Sequence, residues 1–260
     1  MDLTIKWFIS ALVFFFLVKQ EDSDYAYSFP AELGEQPETG PGERSRLEYS
    51  EQPYYYEHLH PIGWSRDGKL AVLLWSNHEF AWSWQVKVLD LVNDKVLYDD
   101  SRNSEDPSWI SKEQVKAKWE RNTNTIGKYL NEHSILPQSE FKTEKFPFTL
   151  STDSGEVVYD IKVKNTEDTT VTSSAIIMKS EVSLLMKYKS QQYSKKIFSD
   201  TSMYAWDVYS EGFLKSPYEN RVAVLLKVVH PGQHFSVPNS SVSYVISGAA
   251  LNSRFRATKR

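Results

Sequence analysis

The chain of 260 residues has a formal net charge of −4, from 30 Lys and Arg against 34 Asp and Glu, and it contains no cysteine. The missing cysteine excludes disulfides, thiolate metal sites, a Cys nucleophile and an S-acyl or lipoprotein anchor, and the mixed charge argues against a nucleic-acid surface, which would show a basic stripe. With 8 Trp, 15 Tyr and 13 Phe, the chain can bury a sizeable core without cross-links.

Residues 7–18 form an unbroken apolar run behind Lys6. At about a dozen residues it falls short of the roughly 20 that cross a bilayer. It matches the hydrophobic region of a signal peptide. Ala26 and Ser28, two apart, suit cleavage after Ser28, although Asp2 offsets Lys6 and residues 19–24 are charged for a segment before a cut. Residues 1–28 are therefore expected to be a signal peptide or, uncut, an N-terminal anchor. Export to a periplasm or to the outside follows, with membrane contact only through that segment. Residues 29–53 are rich in Glu, Pro, Gly and Ser and read as a flexible linker.

A single β-rich domain with an inserted helix is expected over 54–260. Residues 70–75 are a short apolar run after the turn Ser65-Arg66-Asp67-Gly68-Lys69. Phe80, Trp82, Trp84, Val86 and Val88 alternate with small or polar residues, the period of a strand with one buried face. Asn93-Asp94 supplies a turn before a strand at 95–98, completing an antiparallel meander. Ser111 with Gln114 matches a capping box. Val115, Trp119, Ile126 and Leu130 then form one apolar stripe, so a long amphipathic helix is expected at about 111–133. Beyond Phe146-Pro147-Phe148, short β-rich runs between turn residues predict more antiparallel sheet, up to 243–247. The fold class is thus mainly β, in sandwich-like or partial propeller-like meanders.

Two stretches echo one another. Gly63-Trp64-Ser65 leads through a turn to Leu70-Ala71-Val72-Leu73-Leu74, and Gly212-Phe213 leads through residues 216–220 to Val222-Ala223-Val224-Leu225-Leu226. The pattern suggests a duplicated sheet edge.

The run Trp64-Ser65-Arg66-Asp67-Gly68-Lys69-Leu70-Ala71-Val72, followed by Val86-Lys87-Val88-Leu89-Asp90-Leu91 and Asn93-Asp94-Lys95, resembles one blade of a TolB-type or WD40-like β-propeller. The resemblance covers about a sixth of the chain and implies a four-stranded meander; a propeller would repeat the blade at least four times. The layout also looks like that of uncharacterised bacterial exported proteins, which carries no activity with it.

Candidate sites are few. His58 and His60, two apart on a strand, share a face and could meet one metal ion, with Glu57, His78 or Glu79 as a further ligand. The alternative is polar surface. His230 and His234 flank Pro231-Gly232 and read as a turn. Gly63-x-Ser65 lacks the second glycine of a nucleophile elbow, and no glycine loop for phosphates or dinucleotides occurs. Asp99, Asp100, Glu105 and Asp106 read as a solvated loop. No catalytic residue and no cofactor is assigned. The aromatic concentration at Tyr54, Tyr55, Tyr56, Trp64 and Trp75 is the candidate binding surface for a protein or glycan partner, against a core role for the Trp82 and Trp84 stripe. The functional expectation is an exported non-catalytic binding or envelope scaffold protein. An envelope hydrolase using carboxylates and histidines is one alternative, and a propeller-type sensor module another.

Overall fold

The computed structural model describes residues 25–34, 55–77, 82–104, 110–153, 155–167, 178–205, 207–231 and 240–251. The apolar run at 7–18, most of the expected linker, Tyr54, His78, Glu79, Glu105, Asp106, His234 and the basic tail lie outside them. The described chain is mainly β with one helix: β1 (Tyr55–Trp64), β2 (Lys69–Asn77), β3 (Trp82–Asp90), β4 (Lys95–Ser104), α1 (Lys112–Glu132), β5 (Leu136–Pro137), β6 (Phe148–Thr152), β7 (Gly155–Glu167), β8 (Met178–Tyr188), β9 (Gln191–Ala205), β10 (Asp207–Lys215), β11 (Arg221–Pro231) and β12 (Ser240–Ala250).

Two sheets result. The larger runs β10-β11-β12-β1-β2-β3-β4, with β5 on the outer edge of β1, and the smaller runs β6-β7-β8-β9. Pairing is antiparallel except at one joint. There β1 meets β12 in parallel over Tyr55↔Ser241 and Tyr56↔Val242 alone. From Glu57 onward β1 pairs with β2, and its other edge is taken by the Leu33 N–H on the Leu59 carbonyl and by β5 at Gly63 and Trp64. The larger sheet therefore steps from one layer to another at this joint.

The apolar clusters define the layers. On β2, Ala71, Leu73 and Trp75 face α1 together with Trp84, Val86 and Val88 of β3. The alternate residues Leu70, Val72 and Leu74 pack with Leu214, Ala223 and Leu225 of β10 and β11. The other face of β11, through Val222, Val224, Leu226 and Val228, meets Val157, Tyr159, Val182, Leu184 and Met186 of the smaller sheet. The order is helix, β1–β4, β10–β12, β6–β9. Strands β2 and β11 are buried on both faces, which is why their sequences are continuous apolar runs.

Helix α1 starts at the expected cap: the Ser111 hydroxyl accepts the Gln114 N–H at 3.3 Å, and the Gln114 side chain accepts the Ser111 N–H at 2.7 Å. Its buried stripe is Val115, Trp119, Ile126, Gly127 and Leu130. Residues 25–34 pack against this core through Tyr27 and Phe29. Tyr27 is 3% exposed, its hydroxyl donates to the Ile135 carbonyl at 2.7 Å, and its own carbonyl accepts the Trp119 indole N–H. Ser28 and the first residues of the expected linker are thus part of the folded layer, since this segment carries its own aromatic anchors, Tyr27 and Phe29.

The sequence echo has a structural counterpart. Hairpins β1–β2 and β10–β11 each carry a register shift, between Pro61 and Gly63 and between Ser210 and Gly212. Each closes alike: Ser65 N–H donates to the Lys69 carbonyl, and Ser216 N–H to the Arg221 carbonyl. The third strand of each unit ends on the turn of its own hairpin, through Leu91 N–H to the Gly68 carbonyl and Leu251 N–H to the Asn220 carbonyl. β1–β4 is also a four-stranded antiparallel meander.

Candidate functional site

The two units touch at one end of the layers and part at the other. At the closed end the Arg221 guanidinium donates to the Leu91 carbonyl at 2.9 Å, and Asp94 accepts the Gly248 N–H at 3.0 Å. Gly248 has to be glycine there: a Cβ would stand 2.0 Å from the Leu91 carbonyl oxygen. The opposite end, where β1 and β12 diverge, holds a hollow of about 360 Å³. Its walls are Tyr55, Tyr56, Glu57, Ser76, Ser83, Gln85, His230, Ser241, Val242 and Ser243.

The strand register explains this lining. Glu57 pairs with Ser76, and Ser76 with Ser83. These side chains, with Gln85, stand on the face that further along carries Leu59, Leu74 and Leu89. Where the apolar inner face should continue, the sequence supplies a carboxylate, an amide and hydroxyls. Ser76 and Ser83 hydroxyls are 2.8 Å apart. On the other wall His230 Nε2 is 2.8 Å from the Ser243 hydroxyl.

Glu57 occupies the joint itself. One carboxylate oxygen accepts the Tyr244 main-chain N–H at 2.6 Å, replacing the ladder bond that β1 and β12 no longer form. Burial pushes the Glu57 carboxyl up to about 7, against the lowering effects of the Tyr244 N–H and Lys87. Beside it, burial followed by Glu211, Tyr209 and Glu57 raises the Tyr244 phenol, so it stays neutral. Lys227 lies close by, 3.1 Å from Glu211 and over the Tyr244 ring. The deep carboxylate changes charge near neutrality in a polar cavity, a combination enriched at functional sites.

Tyr55 and Tyr56, expected on a binding surface, line this hollow. Trp64 and Trp75 do not: they are 0% and 1% exposed. Trp64 fills the seam between the two units and Trp75 the helix-side core, so neither offers a ring to a partner. His58 and His60 share a face but are engaged apart. The Trp75 indole donates to His60 Nε2 at 3.0 Å, which leaves Nδ1–H to donate to the Pro30 carbonyl at 2.9 Å. Burial holds the His60 imidazole below its usual range. His58 stacks on Trp75 at 3.8 Å and bonds Glu32 at 2.6 Å. Among the described residues no three metal-ligating side chains converge. Asp99 and Asp100 sit on β4 and are not part of the hollow's wall, and no described helix is long and apolar enough to cross a membrane.

The Ser243–His230 contact has the length of a nucleophile–base pair. Ser243, however, lies in regular strand opposite Val228, without the sharp turn that exposes a nucleophile, and the contact reads as a cross-strand polar pair. Sequence reasoning offered Glu57 only as a further metal ligand, and it missed Gln85, Ser243 and the role of His230. The available signal was the serines at Ser76, Ser83, Ser241 and Ser243, which interrupt apolar alternation at strand ends. No protein-family model, no curated protein and no solved structure matches the chain.

Proposed function

We propose that the protein is an exported, non-catalytic binding protein whose small polar ligand, a glycan or related molecule, enters the hollow at the β1–β12 joint. The observation that carries this reading is the lining: two tyrosines, four serines, Gln85, His230 and Glu57 converge in one hollow, beside the apolar cluster that fills the middle of the inter-unit seam. Polar groups concentrated in a concave site supply specificity, and flanking rings supply contact area. Export is supported by the apolar run at 7–18, and the packing of Tyr27 supports a mature form that begins upstream of it.

A thermal-shift screen of sugars, amino acids and polyols tests the reading. Ligands that raise the Tm of the protein are expected to lose their effect in a Tyr56→Ala/Gln85→Ala variant. Ligands that stabilise both proteins equally would place the binding surface elsewhere.

A further inference from the structure

We infer that the hollow recognises an amine: its ligand carries a protonated amino group that is held by the Glu57 carboxylate beside the rings of Tyr55 and Tyr56. This rests on the hollow being the binding site and names the chemistry that fits it.

The Glu57 carboxylate has two oxygens. One accepts the Tyr244 N–H; the other takes no hydrogen bond among the described residues, although Glu57 lines the cavity. A carboxylate drawn out of bulk water needs a donor, and a charged donor satisfies it better than a neutral one. The groups around it leave that role open. Lys87 on β3 acts on Glu57 only through space and is not part of the cavity wall. The ammonium of Lys227 on β11 is committed to Glu211 of β10. His230 lies against Ser243, and the Tyr244 and Tyr209 phenols are both pushed upward and neutral. Tyrosine faces attract cations, and the serine hydroxyls with Gln85 suit hydroxyl or amide groups next to the amine. A ligand ammonium would also ionise Glu57 on arrival, so that binding near neutrality releases a proton.

The test is a titration of isotope-labelled protein at pH 8, followed by amide shifts, with putrescine and ethanolamine as amine probes. 1,4-Butanediol and ethylene glycol serve as uncharged matches, and glucose as a neutral sugar. The amines are expected to shift Tyr56, Glu57, Gln85 and Ser243. Their affinity should fall by about tenfold or more in Glu57→Gln, which keeps an oxygen for the Tyr244 N–H; an unchanged amide spectrum elsewhere establishes that this variant is folded. Diols or glucose binding the same residues as tightly as the amines, or amines binding Glu57→Gln undiminished, overturns the amine inference and leaves the hollow as the site. No shift in those residues with any probe at tens of millimolar overturns both.

Discussion

Glu57 accepts the main-chain N–H of Tyr244, 187 positions away, at 2.6 Å. The contact stands where β1 and β12 cease to pair, so a titratable side chain does the work of a ladder bond at the rim of the cavity. It links the joint of the fold to the chemistry of the hollow.

Stability should therefore depend on pH in a defined direction. Glu57 holds its proton in the folded state up to about 7, whereas an ordinary glutamate loses it near 4.5. Between these values the folded state binds more protons than the unfolded one, so stability falls as pH rises and levels off above about 7. The full effect is on the order of 3 kcal/mol at most. Glu57→Gln should raise Tm at pH 8 and match the native protein near pH 4, as calorimetry would show. An unchanged Tm at pH 8 would contradict the assignment.

Glu32 acts in the opposite sense. Burial raises its carboxyl, but hydrogen bonds from His58 and Lys112 outweigh burial and bring it down to about 2. Its stabilisation is complete above about 4.5 and is lost as pH falls toward 2. Urea unfolding should show Glu32→Gln weaker by about 1–3 kcal/mol at pH 7, with the difference shrinking at pH 3.

The N-terminal segment should be indispensable. Tyr27→Ala removes a buried ring and should cost about 3–5 kcal/mol, and Tyr27→Phe, which leaves the Ile135 carbonyl unmet, about 1 kcal/mol. Mass spectrometry of the mature protein should find Tyr27 retained. A mature chain that begins at Phe29 with undiminished stability would contradict the packing.

Two glycine substitutions should differ in sign. Gly248→Ala drives a Cβ against the Leu91 backbone and should destabilise by about 1–3 kcal/mol. In Gly127→Ala the new Cβ meets only the Tyr27 ring at 3.5 Å, so the helix-propensity gain of about 0.5–1 kcal/mol should show as a higher Tm. Denaturant midpoints of the two variants check both.

The helix was legible because its signals are local: the Ser111 and Gln114 cap and the stripe from Val115 to Leu130 are all written within one element. The Trp84, Val86, Val88 strand was legible for the same reason, and the echo of 63–74 in 212–226 marked the two hairpins. The hollow was not, because Glu57 and Tyr244 meet only through a parallel joint of two residue pairs, which no spacing encodes. Trp64 and Trp75 read as a surface because composition counts rings without saying that β1 at Trp64 and β2 at Trp75 are buried. Residues 25–34 were hidden by neighbours of linker composition, although Tyr27 and Phe29 anchor them.

The most direct measurement is a crystal structure of the protein with the small polar ligand that raises its Tm most. Ligand density is expected among Tyr56, Glu57, Gln85 and Ser243, at the end where β1 and β12 part. Density seated instead on an outer face of the β6–β9 sheet, with the hollow holding only water, would contradict the account.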